Sequence, residues 1–413
     1  MVVMHIDVNS AFLSWTAVDM LAKGHPVDIR TIPAAIGGDQ ESRHGVILAK
    51  STPAKKYNVV TGESIMEARR KCPELALFPP DHKLYSRCSD ALYEILKEYS
   101  PTIQRFSVDE CFIEYVNSFR KYASPVECAY ELKDRIKNEL GFTVNIGVGT
   151  NKITAKMAGE LKKPDMVHTL LTHEEIEEKL WPLDVGELFM VGRQSAAKLR
   201  RVNIKTIGDL AKTDPQVLKT LLKSQGQLIW NYANGIDDDP ITPNEETSPK
   251  SIGNSMTLSA DVKDRDEALK FLLALTDKVT GRLRECGYKA CSVSINIKSS
   301  SFVSYSHQTK LAFFTDSTSI IYEAVCKLFD EGWKGEPVRL LGVSVSDFGE
   351  GDSYQMSIFE GMTEGFSAIK ETNQNVVRDI TKEETADKTI DEIRKKFGEN
   401  AIYRGNSQNF HGK

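Results

Sequence analysis

Apolar residues close in from both sides on one adjacent pair of acids in Phe106-Ser107-Val108-Asp109-Glu110-Cys111-Phe112-Ile113. Such flanks predict two buried strands of a hairpin, with Asp109 and Glu110 at its tight turn. Val2 to Val8 reads as a short buried strand carrying Asp7 near its end. A helix follows from Asn9 or Ser10 to about Ala22, with Phe12, Trp15, Val18 and Leu21 near helical spacing and Gly24 as its stop. Between Pro26 and Pro80 the pattern is that of a smaller lobe, with a strand near Val46 to Lys50 and helices around Pro53 to Tyr57 and Ser64 to Lys71. An amphipathic helix over residues 82–99 rests on Leu84, Leu92, Ile95 and Leu96. After the acidic hairpin, Ser124-Pro125 opens a further helix and Phe142 to Gly149 alternates as a strand. The order strand, helix, hairpin, helix, strand predicts a split βαβ, ferredoxin-like sheet, which would lay the first strand beside the hairpin and bring Asp7 to Asp109 and Glu110.

Beyond Gly149 an Ala-rich helix runs to about Lys162 and meets Lys163-Pro164-Asp165. Short helices follow, and Met190-Val191-Gly192-Arg193-Gln194-Ser195 with Leu199 and Ile207-Gly208-Asp209-Leu210 reads as two helices about a Gly-containing turn. Such a hairpin can offer Gly192 and Ser195 amides to a phosphate; plain helix packing is the alternative. Asp237 to Lys250 is acidic, Pro-rich and without apolar period, hence a linker. A second strand-helix-strand-strand-helix-strand unit then spans residues 251–349, and its strands around Lys298 and Ser304 alternate apolar with hydroxyl, amide or basic residues. One sheet face there is open and polar, suited to a phosphate backbone or simply to solvent. From about Gly349 the chain reads as a mobile tail with a weak helix near Ala386 to Phe397, and Gln355-Met356-Ser357-Ile358-Phe359 sets apolar anchors on a segment with no core to join.

Composition narrows this little. The 413 residues, 40% hydrophobic and 27% charged, are globular and enough for two to four domains. No apolar run approaches a membrane span, and no secretory signal is visible, so the expected location is cytoplasmic, with no membrane partner. Seven scattered cysteines form no Cys-x-x-Cys pair and read as reduced. A net charge of -5 does not announce a nucleic-acid binder, since only the distribution of charge decides that. The acids change the picture more. Two carboxylates held side by side are costly unless a cation neutralises them, which makes a metal site the first reading of Asp109-Glu110 and an ordinary polar turn the bland one. Phe12 by itself reads as a core aromatic. Lys50, Lys55 and Lys56 place positive charge near a helix start, where phosphate or plain solvent suits them equally.

Taken together, Asp7, Phe12, Ser107-Val108-Asp109-Glu110, Gly147-Val148-Gly149-Thr150-Asn151-Lys152 and Lys163-Pro164 resemble the Y-family, or translesion, DNA polymerases of the bacterial polymerase IV and UmuC kind. The resemblance implies a multidomain α+β right-hand polymerase: a ferredoxin-like palm (residues 1–10 and 79–172), inserted fingers (11–78), a helical thumb (173–240), a linker (241–250), a little finger (251–349) and a tail (350–413). It implies two Mg²⁺ ions bound by Asp7, Asp109, Glu110 and the Val8 carbonyl, transferring a nucleotide from dNTP to a primer 3′-hydroxyl. Ala11, Phe12 as a steric gate, Thr52, Lys55 and Lys163 would hold the nucleotide, and Gly192, Ser195, Lys298 and Ser304 the primer-template DNA. Gln355 to Phe359 resembles a peptide that docks in the bacterial sliding clamp. The polymerase core is expected to be monomeric. Family members often carry Tyr and Arg where this chain has Thr52 and Lys55, and Gly where it has Met190, so triphosphate and backbone contacts there are in doubt. A subunit needing accessory proteins, a non-catalytic clamp-bound scaffold and a palm-type nucleotidyl cyclase are the competing readings.

Overall fold

The computed structural model describes residues 1–38, 45–116, 122–243, 249–349, 385–398 and 401–404. They divide into two compact units, one holding Met1–Gln40 and Gly45–Thr247, the other built on Ser248–Lys413.

The first unit is organised by a five-stranded sheet in the order β5-β6-β1-β7-β8. Its strands are β1 (Val3–Val8), β5 (Ile103–Arg105), β6 (Glu110–Glu114), β7 (Val144–Gly149) and β8 (Val167–Leu170). β1 lies between β6 and β7 and runs antiparallel to both, the ferredoxin-like order expected, with β8 added parallel to β7. Because side chains alternate along a strand, Met4, Ile6 and Val8 share one face with Cys111, Ile113, Val144, Ile146 and Val148. That face is the main core, covered by α4 (His82–Lys97) and α5 (Pro125–Leu140). The Ser124 hydroxyl accepts from the Glu127 amide at the start of α5, and Gly141 closes it at φ 74°. The opposite face carries His5, Asp7, Phe112, Asn145, Gly147 and Gly149, and α6 (Lys152–Glu160) packs there.

Inserted after β1 are α1 (Ala11–Ala22) and a three-stranded sheet ordered β3-β2-β4, made of β2 (Ala34–Gly37), β3 (Ile47–Lys50) and β4 (Ala76–Phe78), with α2 (Thr52–Lys55) and α3 (Ile65–Lys71). After β8 come α7 (His173–Glu175), two further irregular turns, and α8 (Arg193–Arg201), α9 (Ile207–Lys212), α10 (Pro215–Leu222) and α11 (Ser224–Ala233) around their own core. The second unit is a four-stranded sheet ordered β11-β10-β12-β9, from β9 (Ser251–Val262), β10 (Lys289–Ser299), β11 (Ser304–Thr315) and β12 (Val338–Gly349). Among the described residues only one of its faces is covered, by α12 (Arg265–Glu285) and α13 (Thr318–Gly332). Among the described residues no helix is long and apolar enough to cross a membrane, and all seven cysteines are free thiols.

Three sequence expectations are corrected. Glu110 is not in the hairpin turn but is the first residue of β6, because the Phe106 and Ser107 amides both bond its carbonyl and close the turn before it. The supposed linker starts as packed chain: Ile241 is buried with Val3, Phe112 and Ala155, and the Thr242 amide donates to Gln104 Oε1. The weak helix expected in the tail is present over residues 385–397, α14, but it is not mobile: it is docked on the second unit by ions rather than by an apolar stripe. Asp387 is buried, accepts from the Thr318 amide at 2.7 Å and so caps α13, whose own N-cap Ser317 makes no such bond. Arg284, 5% exposed, pairs with Asp387 at 3.3 Å and Asp391 at 2.5 Å, while Arg394 and Arg404 pair with Asp277. The candidate clamp peptide, Gln355 to Phe359, lies outside the described residues.

A buried ion pair broken on one side leaves a charge without a partner. Asp387→Ala is therefore expected to destabilise the second unit by about 3 kcal/mol, read as lost hydrogen-exchange protection in the first turn of α13; full protection in the variant would show that α14 does not dock.

Candidate active site

The site follows from strand register. Asp7 on β1 is the direct cross-strand partner of Glu110 on β6, and the Val8 amide donates to the Asp109 carbonyl at 3.1 Å. Asp7, Val8, Asp109 and Glu110 are thus brought to one edge of one strand pair, as expected. Each carboxylate is held by one oxygen only. Lys163 Nζ donates to Asp7 Oδ2 at 2.7 Å, Ser107 Oγ to Asp109 Oδ1 at 2.6 Å, and Lys156 Nζ to Glu110 Oε2 at 2.8 Å, with His5 Nε2 3.4 Å from that same oxygen. Asp7 Oδ1, Asp109 Oδ2 and Glu110 Oε1 carry no hydrogen bond among the described residues.

Burial pushes the Asp7 carboxyl up to about 6, against the pull of Lys163 and with added repulsion from Glu110. Burial acts on Glu110 in the same sense, but hydrogen bonds from His5 and Lys156 outweigh it and bring that carboxyl down to about 2. His5, fully buried, is pushed below its ordinary value by desolvation. Desolvation acts against the charge of Lys163 as well, yet the Asp7 carboxylate beside it raises it overall.

Two glycines allow these cations to reach the acids. A Cβ on Gly147 would stand 1.9 Å from the Ala155 carbonyl oxygen, and one on Gly149 2.3 Å from the Ala155 amide nitrogen. Glycine alone lets α6 lie that close to β7, and the close approach sets Lys156 over the sheet against Glu110. Asn145, register partner of Asp7, donates to the Gly159 and Lys162 carbonyls. Asn9 Oδ1 accepts from the Asp165 amide at 2.8 Å, so the loop carrying Lys163 is pinned at both ends. His5, Asn9, Asn145 and Lys156 were missed from sequence; for two of them a signal was available, His5 and Asn145 being polar positions within mostly apolar strands.

Phe12 lies on α1, stacked on Tyr85 with centroids 4.2 Å apart and planes 7° from parallel, and Ala11 is buried beside it. Thr52 and Lys55 stand exposed on α2, and no hydrogen bond or ion pair joins them to the carboxylates among the described residues. Gly192 is the N-cap of α8 without a side-chain cap, and Ser195 is half-buried in its first turn. Met190 has φ 70°, so the backbone takes the glycine-like conformation at a cost of about 1–2 kcal/mol. In the second unit the uncovered face aligns Gln308, Ser294, Ser344 and Gly253 in one row, Ser306, Asn296, Gly342 and Ser255 in the next, and Ser304, Lys298, Leu340 and Thr257 in a third.

Comparison with known proteins adds to this geometry. The profile of the impB/mucB/samB family matches residues 6–160, and that of the impB/mucB/samB family C-terminal domain matches residues 249–358. DNA polymerase IV of Clostridium acetobutylicum is 48% identical over 98% of this chain and 97% of its own length. DNA polymerase IV 2 of Bacillus subtilis is 33% identical over 98% of this chain and 94% of its own. A solved Y-family DNA polymerase chimera built on Dbh shares the fold, with a TM-score of 0.73 at 20% identity over 84% of this chain and 99% of that one.

The raised Asp7 carboxyl has a consequence for stability. Its folded value, about 6, exceeds the ordinary 3.8, so the folded state binds the proton more tightly and stability falls as pH rises from about 4 through 6. Asp7→Asn is expected to be more stable than the parent at pH 8 by on the order of 2 kcal/mol, with the advantage gone at pH 4 in denaturant titrations; an advantage independent of pH would refute the assignment.

Proposed function

The chain belongs to the impB/mucB/samB family, the Y-family DNA polymerases, and is a DNA-directed DNA polymerase of the translesion class; from that premise we propose that Asp7, Asp109 and Glu110 are its catalytic carboxylates. The observation that carries the reading is the three acids at one strand edge, each tethered by one oxygen with the other free.

Family membership implies a divalent-metal requirement in general. The donors fit Mg²⁺, a hard cation that takes carboxylate and carbonyl oxygens, although among the described residues no three such side chains already converge on one point. Asp7, Asp109, Glu110 and the Val8 carbonyl would hold two Mg²⁺, which supply a more acidic primer 3′-hydroxyl and charge neutralisation on the triphosphate. The hydroxyl loses its proton to water, and its oxygen bonds to the α-phosphorus as the bond from that phosphorus to pyrophosphate breaks. Lys163, released from Asp7, turns to the phosphate oxygens as they gain charge. Phe12, fixed by its stack on Tyr85, presents a flat edge to the sugar and leaves no room for a 2′-hydroxyl, with the backbone at Ala11 beside it. Thr52 and Lys55 reach the triphosphate only when the substrate bridges the gap to α2, and a lysine there gives one point charge in place of a bidentate fork.

DNA and nucleotide are the substrates. The domain roles follow the palm, fingers, thumb and little finger spans given above. Gly192 and Ser195 at the open start of α8, and Lys298 and Ser304 on the uncovered sheet, are the DNA contacts in this reading. Gln355, Met356, Ser357, Ile358 and Phe359 dock in a sliding clamp, and the monomeric core works in the cytoplasm at the nucleoid.

Primer extension with Mg²⁺ tests the set. Wild-type protein is expected to extend, Asp109→Ala to lose extension by a factor of about 10³ or more while keeping DNA affinity, and Phe12→Ala to accept ribonucleotides. Clamp stimulation is expected to vanish when Gln355, Ile358 and Phe359 are all replaced by Ala. Full turnover in Asp109→Ala would remove the carboxylate assignment, and unchanged sugar selection in Phe12→Ala the gate.

A further inference from the structure

Lys156 is a buried cation, 9% exposed, set between a carboxylate and two aromatic rings. It donates to Glu110 Oε2 at 2.8 Å, and its ammonium lies 5.2 Å from the Phe106 ring centre and 5.1 Å from that of Phe189. Phe106 belongs to the β5–β6 turn that carries Asp109, and its ring meets Phe112 edge-on at 5.5 Å. Phe189 comes from the helical segment after β8, where its amide donates to Met157 Sδ at 3.4 Å and its ring stacks near Tyr232 of α11. The two rings meet at 6.1 Å, edge to face, so a cage from two parts of the chain closes over one lysine.

Two consequences follow from this chemistry. A buried ammonium set over two aromatic rings has little freedom to leave. Since Lys156 and His5 both act on Oε2, the carboxylate is held at that oxygen and its plane is set, which leaves Oε1 as the free donor. We propose that Lys156, caged by Phe106 and Phe189, is a positioning residue that fixes Glu110 with Oε1 toward the reacting end of the primer and ties that orientation to the packing of the thumb segment. The inference rests on the catalytic reading of Glu110 given above. It makes Phe189 a remote determinant of metal use without contact to nucleotide or acid.

The test compares wild type, Lys156→Met, Lys156→Arg and Phe189→Leu. Single-turnover extension gives the rate and the dNTP dependence at varied Mg²⁺, and Mn²⁺ titration by electron paramagnetic resonance on a complex with a dideoxy-terminated primer gives ion binding without turnover. Lys156→Met is expected to need about tenfold more Mg²⁺ for half-maximal rate and to bind Mn²⁺ correspondingly more weakly, with dNTP half-saturation at saturating metal unchanged. Lys156→Arg restores most of the loss, and Phe189→Leu shifts metal dependence in the same direction by about threefold. If Lys156→Met fails to fold, Phe189→Leu carries the test. Wild-type metal dependence in a folded Lys156→Met overturns the positioning role, and wild-type dependence in Phe189→Leu overturns the link to the thumb segment. Failure of the underlying reading looks different: Asp109→Ala would still extend primers.

Discussion

Asp7 and Glu110 face each other across an antiparallel pair, with Asp109 one position away on the neighbouring backbone. Carboxylates at that spacing repel, and burial removes the water that would screen them. Much of the first unit answers that constraint. Cations are delivered from two places, Lys156 on α6 and Lys163 on the loop after it, and each reaches a different acid. The opposite shifts of the two carboxyls measure how unequal the answers are. Glu110 has two donors on one oxygen and stays ionised, whereas Asp7 has one half-exposed lysine and keeps a proton more readily. Holding a charge on Asp7 in so dry a place therefore costs stability.

The delivery of those cations depends on backbone contact rather than side-chain packing. Gly147 and Gly149 let α6 touch β7, Asn145 ties the helix end to the sheet, and Asn9 ties down the loop beyond. None of these four residues carries charge or chemistry of its own. They set where Lys156 and Lys163 can be, so an alanine at Gly147 would shift the whole helix and with it both ion pairs.

The split βαβ order and the second βαββαβ unit were legible because burial on one face writes a period of 2 or 3.6 into the chain. Asp7, Asp109 and Glu110 were legible as a set once that topology returned β1 to the hairpin. His5, Asn145 and Lys156 were not, since a polar residue on the α6 face has the same pattern as one facing solvent, and only the glycines show that the face is covered. The helix near Ala386 to Phe397 was legible, but the docking of α14 was not, for a related reason. Its anchor is Asp387, buried, while Ala386 and Phe397, which carry the apolar signal, are exposed. A helix docked by arginine and aspartate leaves no apolar stripe to show what it packs on.

A net charge of -5 on a polymerase needs a physical account, and the second unit supplies one. Its uncovered sheet face presents serines, an asparagine, a glutamine, glycines and a threonine in cross-strand rows, with Lys298 in the outermost row and Lys310, paired to Asp347, beyond the first. Hydroxyl and amide groups can donate hydrogen bonds to phosphate oxygens in any register, because they are spaced by the sheet rather than by base sequence. Gly342 and Gly253 add positions without a side chain to these rows, opposite Ser255 and Ser344. If DNA lies on this face, as proposed above, its contacts follow the phosphate backbone and carry no base sequence.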